Sequence, residues 1–348
     1  MTKAEVAKRV KQLRHLIDEH NHKYYVLDRP EITDAAYDSL LQELIDLEEK
    51  FPDLRAADSP TERVGGAPAA PFAKVKHVVP QWSYDDAFTE DDIRRFDARV
   101  RRLLPGRVPA YLCELKIDGF KIVLTYKEGK LTTAATRGDG RVGEDVTANV
   151  KTIKSIPLRL IGSRADLIVE GEIWLSKKEF ERLNTEQKEK NLPLYANPRN
   201  TAAGTIRQLD PRVVAGRKLS SFIYDLAQAN FTLPTTQARE LALLAKLGFK
   251  VNEHFAAAPD IEAVIAFWRH WEKKKDNLSY EVDGVVVKVD ERELQERLGY
   301  TGKAPRFGLA CKFAAEQATT VVEDIILQVG RTGVVTPVAV LRPVLVAG

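Results

Sequence analysis

Cys113-Glu114-Leu115-Lys116-Ile117-Asp118-Gly119, followed by Phe120-Lys121-Ile122-Val123-Leu124-Thr125-Tyr126, decides how the rest of the chain is read. The two runs predict two short β-strands with a turn between Lys116 and Lys121. Side chains alternate along a strand, so Glu114, Lys116 and Asp118 fall on one face and Leu115 and Ile117 on the other. A lysine flanked by carboxylates over an apolar backing suits a held nucleophile. It also suits a surface strand of mixed charge, and these residues alone favour that plainer reading.

The totals narrow the class. The chain has 348 residues, 44% hydrophobic and 30% charged, which fits a globular protein of two or more domains rather than a disordered one. Charge interrupts every apolar run too soon for a membrane helix. Met1–Val6 shows no signal-peptide core. Two cysteines, Cys113 and Cys311, make neither a disulfide framework nor a four-cysteine zinc site, so a cytoplasmic location is expected. A net charge of +3 supports no argument for nucleic-acid binding, which would need local basic patches.

Towards the N-terminus, Val6, Val10, Leu13 and Ile17 predict a helix over residues 2–25. A connector Tyr24–Ile32 follows, then a helix capped by Thr33 with Tyr37, Leu40, Leu41, Leu44 and Leu47 on one stripe, ending at Phe51-Pro52. Asp34, Tyr37 and Asp38 share a face of that helix. The plainer reading is a dipole-stabilising aspartate and a core tyrosine. The functional one is an aromatic, acidic cleft for a flat cationic ligand. Residues 52–80, rich in Pro, Ala and Gly, read as a linker. Thr89-Glu90-Asp91-Asp92 caps a helix with Ile93, Phe96, Val100 and Leu103 directed inward.

Beyond residue 110, strand-type runs fall near 110–116, 121–127, 131–136, 166–174, 220–226 and 284–289. Helical runs fall near 176–190, 198–208, 235–247 and 259–275. Tight turns between several strands predict antiparallel pairing and an α+β fold. From Thr319 to Leu327 the chain alternates like a strand, turns at Gly330-Arg331-Thr332-Gly333, and is β-type again from Val334 to Val346. Gly138-Asp139-Gly140-Arg141-Val142-Gly143 matches a dinucleotide fingerprint, but the preceding run 131–137 is half polar and no apolar helix follows, so a polar glycine-rich turn is predicted.

Taken together, these pieces resemble the covalent nucleotidyltransferases, and most closely the bacterial NAD-dependent DNA ligases. Lys116-Ile-Asp-Gly119 resembles their first motif, Lys-x-Asp-Gly. Ala135–Asn149 and Tyr195–Pro211 resemble family signatures. Leu167–Glu172 is similar to the third motif, Tyr280–Lys288 to the fourth and Cys311-Lys312-Phe313 to the fifth. Tyr24-Tyr25 and Asp34–Asp38 resemble the helical domain that ATP-dependent ligases lack.

The resemblance implies three parts: a helical domain over residues 1–70 that binds nicotinamide mononucleotide (NMN), an adenylation domain over 71–316 of the nucleotidyltransferase, ATP-grasp-like DNA-ligase type, and an incomplete OB-fold over 317–348. It implies that Lys116 attacks the α-phosphate of NAD, releases NMN and carries AMP to the 5′-phosphate of nicked DNA in replication and repair. A lysine is protonated at neutral pH, and a nearby cation or burial would activate it, which Lys288 and Lys312 would do if they approach. By the same resemblance Glu114 and Arg137 bind the nucleotide, Glu172 the ribose hydroxyls, Tyr224 stacks on adenine, and Ser83 and Tyr84 line its pocket. Tyr24, Tyr25, Asp34, Tyr37 and Asp38 hold the NMN half. Asp118 and Asp283 help place Mg²⁺ and the lysine, with no protein set assigned as metal ligands. Arg199 and Arg207 suit a phosphate. The implied partners are NAD and nicked duplex DNA, with no membrane, for a monomer.

Departures stand out. The family pattern Pro-Met-Leu-Ser-Leu-Asp-Asn-Ala-Phe reads Pro80-Gln-Trp-Ser-Tyr-Asp-Asp-Ala-Phe88 here, and Phe120-Lys121 replaces small or aliphatic residues. The chain stops inside the OB-fold, so a fragment or natural truncation is expected, one that charges itself with AMP but seals nicks poorly. The competing readings are an ATP- or GTP-using ligase or capping enzyme, a non-catalytic NAD-binding module, and an oxidoreductase.

Overall fold

The computed structural model describes residues 2–56, 58–63, 72–302, 304–314, 318–329 and 333–344, apart from the side chain of Asp34. They divide into two compact units, Met1–Phe313 and Ala314–Gly348.

The first unit begins with α1 (Lys3–Asn21) and α2 (Asp34–Lys50). Thr2 and Glu5 form a capping box on α1, and the Thr33 hydroxyl accepts from the Ala36 N–H of α2, each cap contributing about 1 kcal/mol. Val6, Val10, Leu13 and Ile17 pack on Leu44, with Tyr37, Leu40, Leu41 and Leu47 partly covered around them. Between the helices α1 winds into one π-helical turn, His22–Val26, which carries Tyr24 and Tyr25. The stretch expected to be a linker is only partly one. Pro52–Leu54 and Pro60–Arg63 form short 3-10 turns, and Ser59 and Arg63 are buried. The reason is polar satisfaction: Ser59, Thr61 and Arg14 all bond the buried carboxylate of Glu48. The Gly65–Pro71 heart of that stretch lies outside the described residues.

The chain then gives β1 (Lys74–Lys76), β2 (Asp85–Ala87), α3 (Glu90–Leu103), β3 (Tyr111–Ile117), β4 (Phe120–Lys127), β5 (Lys130–Thr136), β6 (Val142–Glu144), α4 (Thr147–Lys151) and β7 (Leu167–Trp174). It continues with α5 (Lys177–Glu189), α6 (Pro198–Ile206), α7 (Pro211–Ala215), β8 (Ser220–Ala229), α8 (Gln237–Lys246), β9 (Phe255–Ala258), α9 (Ile261–Lys274), β10 (Val282–Val289), α10 (Arg292–Leu298) and β11 (Gly308–Lys312). Besides the two-stranded pair β1-β6, two larger sheets result, in the orders β2-β11-β10-β3-β9 and β5-β4-β7-β8. Pairing is antiparallel as expected, except that the edge strand β2 runs parallel to β11. Each sheet buries an apolar cluster, one under Tyr111, Val285 and Val287, the other under Ile122, Leu124 and Val169.

Two local expectations need correction. In α3 the inward residue at the C-terminal end is Leu104, not Leu103, which is exposed. The helix ends at Leu103, and the non-helical Leu104 (φ −122°, ψ 63°) turns its side chain into the core instead. The short strands β2 and β9 and helices α7 and α10 carry too few residues for a periodic signal and were not anticipated. Gly138–Gly143 is the predicted polar turn: it leads into the three-residue β6, paired with β1, and no dinucleotide-type helix follows.

The second unit contains a hairpin of β12 (Val322–Val329) and β13 (Val335–Leu341), antiparallel, with a register shift between Val322 and Asp324. Most of the turn expected at Gly330–Gly333 lies outside the described residues. Its strand residues, Ile325, Leu327 and Val329 among them, are almost all exposed.

Candidate active site

Register across β3, β10 and β11 builds the site floor. Lys116 pairs with Gly284, and Gly284 with Lys312, so Lys116, Gly284 and Lys312 form one row across three strands. Two strand spacings separate the lysine Cα atoms by about 10 Å. Glycine between them is required by close approach, since a Cβ at 284 would lie 2.3 Å from the Cys311 carbonyl oxygen. The row therefore has a bare centre flanked by two ammonium groups. The next row is Glu114, Val286 and Ala310, and the next Leu112, Lys288 and Gly308. Between this floor and the β4-β7-β8 face of the second sheet lies a cleft of about 630 Å³, a size suited to a small-molecule ligand.

The cleft brings together Ser83, Tyr84, Glu114, Lys116, Arg137, Glu172, Tyr224, Lys288 and Lys312, with Asp283, Arg199 and Arg207 at its wall. Asp118 sits beside it and accepts from Arg199 at 2.9 Å. Its cations are mostly paired. Lys116 Nζ bonds both carboxylate oxygens of Asp283 at 2.9 Å. Lys288, 2% exposed, lies 2.8 Å from Glu114 and donates to the Tyr224 carbonyl at 3.2 Å. Lys312 pairs with Asp86 at 3.2 Å. Arg207 pairs with Glu144, and Arg292 with the buried Glu240. Among the described residues of the lining, Arg137 is the cation without a carboxylate partner.

This arrangement corrects one expectation. Lys288 and Lys312 do not stand against Lys116 as bare cations. Each is held by its own carboxylate, and the direct partner of Lys116 is an anion. The reason is the cost of burying charge: a lysine as enclosed as Lys288 needs a counter-ion, and β3 supplies Glu114 on the same face. Burial works against the charge on Lys288, but Glu114 and the other anionic neighbours outweigh it and keep the ammonium well above its ordinary range.

The opposite wall carries groups that sequence reasoning missed. Lys121 reaches Glu170 at 2.7 Å, and Gln81 Nε2 donates to the same carboxylate at 2.8 Å. These two departures from the family pattern thus meet on one residue, a signal that was present at positions 81 and 121 but had no partner to point to. Asp225, next to Tyr224, is pushed up to about 7 by burial and by Glu240. The Tyr84 ring lies against Gly308, where a Cβ would come within 2.3 Å of it, so the larger residue is accommodated by the missing side chain below. Trp82 packs on Tyr300 in a tilted pair at 5.4 Å, and Tyr300 meets Phe307 at 5.6 Å.

Burial pushes Glu172 up to about 7, against the pull of Lys116, Lys121 and Arg199, and Tyr224 donates to it at 3.3 Å. The folded protein holds this proton more tightly than the unfolded chain. Its contribution to stability is therefore favourable at low pH and falls as pH rises from the ordinary carboxylate value of 4.5 to about 7. Glu172→Gln removes the ionisation. We expect urea unfolding to show the variant more stable than the parent by about 1–2 kcal/mol at pH 8 and equal to it near pH 4. Equal stability at both pH values would show that Glu172 is not held in this way.

The residues expected to hold the NMN half lie elsewhere. Tyr24, Tyr25 and Tyr37, with His20, Pro30, Glu31 and Ile32, line a separate crevice of only about 30 Å³. Tyr24 and Tyr25 pack at 4.6 Å, Tyr37 donates to Asn21 at 2.9 Å, and Asp38 is exposed. Asp34 opens α2, and its side chain lies outside the described residues.

Residues 69–316 match the family described as the NAD-dependent DNA ligase adenylation domain. The chain belongs to the NAD-dependent DNA ligase family. Residues 3–65 match its N-terminal NAD⁺-binding domain, described as DNA ligase-like, and residues 319–348 its OB-fold domain. The DNA ligase of Carboxydothermus hydrogenoformans is 50% identical over 348 residues, covering 100% of this chain and 52% of that protein. That of Solibacter usitatus is 50% identical over 97% of this chain and 51% of its own length. That of Thermotoga petrophila is 51% identical over 99% and 50%. The chain thus spans about half the length of the curated ligases it matches. The α+β class and the adenylation fold expected from sequence hold. Among the described residues, no helix is long and apolar enough to cross a membrane.

Proposed function

We propose that this chain is the adenylation part of an NAD-dependent DNA ligase, in which Lys116 takes AMP from NAD. The observation that carries the reading is the row Lys116, Gly284, Lys312 on the cleft floor. A phosphate over the bare Gly284 backbone is within reach of both ammonium groups, one as nucleophile and one as a positive charge for the phosphoryl oxygens. Attack by the Lys116 amine on the α-phosphorus forms a P–N bond and breaks the bond to the NMN phosphate, which leaves with its electron pair. The ammonium proton must go first, and Asp283, hydrogen-bonded to it, is placed to receive it. Glu172 and Tyr224 suit the ribose and base, and the unpaired Arg137 suits the phosphates.

The residues also fit a magnesium ion. Asp118 and Asp283 offer two carboxylates at the reacting end, while no group of three or more metal-binding side chains occurs among the described residues. Such a pair plus phosphate and water oxygens is how Mg²⁺ is commonly held. It would supply charge neutralisation at the phosphates.

We assign residues 1–70 to NMN binding, 71–316 to adenylation and 317–348 to the OB-fold, and infer a cytoplasmic monomer that passes AMP to nicked DNA when the remaining length of the ligase is present. The two cysteines are buried and free, in keeping with a reducing compartment. Incubation with NAD and Mg²⁺ followed by intact-mass measurement tests the reading. A gain of one adenylyl group from NAD supports it; a gain from ATP alone, or none, overturns it.

A further inference from the structure

Two tyrosines of the crevice already contact a cation. Lys154, from the segment after α4, places its Nζ 5.0 Å from the Tyr25 ring centroid and 5.5 Å from that of Tyr37. The same ammonium donates to the Tyr25 hydroxyl at 3.1 Å. The Tyr25 hydroxyl and the Tyr37 ring around one ammonium form a small cation seat. The space left beside these rings, about 30 Å³, holds roughly one water and no aromatic ring. Other contacts fasten the helical region to the same surface. Lys250 pairs with Asp28 at 2.8 Å, and the Arg63 guanidinium donates to the carbonyls of Lys151, Ile153 and Ile156. Arg63 thus ties the backbone on both sides of Lys154 to the end of the helical region.

We propose that Lys154 is an internal competitor for the tyrosine seat: its ammonium stands where a cationic nicotinamide ring would bind, and such a ligand must displace it, loosening the helical region from the sheet domain. This rests on the reading above that Tyr24, Tyr25 and Tyr37 receive the NMN half. The physics is an exchange of one cation for another on the same pair of tyrosines. The affinity observed for NMN is therefore its intrinsic affinity reduced by the fraction of molecules in which Lys154 occupies the seat.

The test is calorimetric titration of NMN into the 348-residue chain, with NAD-dependent charging measured in parallel by intact mass. Lys154→Met keeps length and removes charge; it is expected to bind NMN about three- to tenfold more tightly and to lower KM for NAD with kcat unchanged. Lys154→Arg keeps a cation on the rings and is expected to behave as the parent. Lys250→Met breaks the Asp28 pair without touching the tyrosines, so it is expected to shift NMN affinity in the same direction by a smaller factor, and it serves if Lys154→Met does not fold. Unchanged or weaker NMN binding by Lys154→Met, or by Lys250→Met where that variant stands in, overturns the proposal; weaker binding would mean that Lys154 contacts the ligand. Charging of the parent by NAD decides the function separately. A parent that charges while these variants show no change sinks only the competition. A parent that fails to charge while they tighten NMN sinks only the function.

Discussion

Lys116→Ala is expected to abolish charging by NAD, lowering the rate of adenylyl transfer by at least about 10⁴-fold, because it removes the amine that forms the P–N bond. Intact mass after incubation with NAD and Mg²⁺ reads this directly. The informative companion is Lys116→Arg. It keeps a cation opposite Asp283 and so preserves the pair seen at 2.9 Å, yet a guanidinium does not lose its proton in a protein and cannot attack. Lys116→Arg should fold as well as the parent, by thermal unfolding, and still remain uncharged. If it charges, the adenylyl group is carried elsewhere and the role given to Lys116 falls. Lys312, in the same row, should behave differently. Its replacement leaves the nucleophile in place and removes only charge over Gly284.

Lys288→Met should damage both stability and charging. Its ammonium is buried and holds the carboxylate of Glu114, which is itself 8% exposed. Removing one partner leaves a buried carboxylate without a counter-ion, a loss of about 3–5 kcal/mol. For a unit of this size that corresponds to a fall in Tm of roughly 5–8 °C. The double variant Lys288→Met, Glu114→Met removes both charges at once, and should recover much of the stability while remaining unable to charge. That split separates two roles of one lysine: balancing Glu114 inside the fold, and presenting positive charge to a nucleotide. A double variant as unstable as the single one would show that Lys288 stabilises by packing alone.

The site was legible in part. Glu114, Lys116 and Asp118 were placed on one strand face from alternation, and β3 presents Glu114 and Lys116 into the cleft as expected. Alternation is a local property of one strand, so it survives folding. The motifs at 167–172, 280–288 and 311–313 each fell on a strand, β7, β10 and β11, because β-branched and aliphatic runs specify extended backbone wherever they pack. The partners of those charges were not legible. Lys288 was read as a lysine for Lys116 and proved to be the counter-ion of Glu114. Lys121 looked like an intrusion and proved to be the partner of Glu170. The Leu103 error has the same root: a helical stripe extrapolated past its last turn ignores how the chain leaves the helix.

By itself, the amino-acid sequence determined the caps at Thr33 and Thr89, the apolar stripes of α1 and α2, the strands that carry the motif residues, and the family to which they belong. Those depend on residues within a turn or a strand of one another, or on motifs whose order along the chain is a record in its own right. Only the tertiary structure decided that Gly284 lies between Lys116 and Lys312, that Tyr84 rests on Gly308, and that Lys154 sits on Tyr25 and Tyr37. Each of these depends on register or docking between segments far apart in the chain. Coulomb and cation–π interactions reward whichever opposite charge or ring face the packed backbone brings within a few ångströms, and no local periodicity encodes that distance.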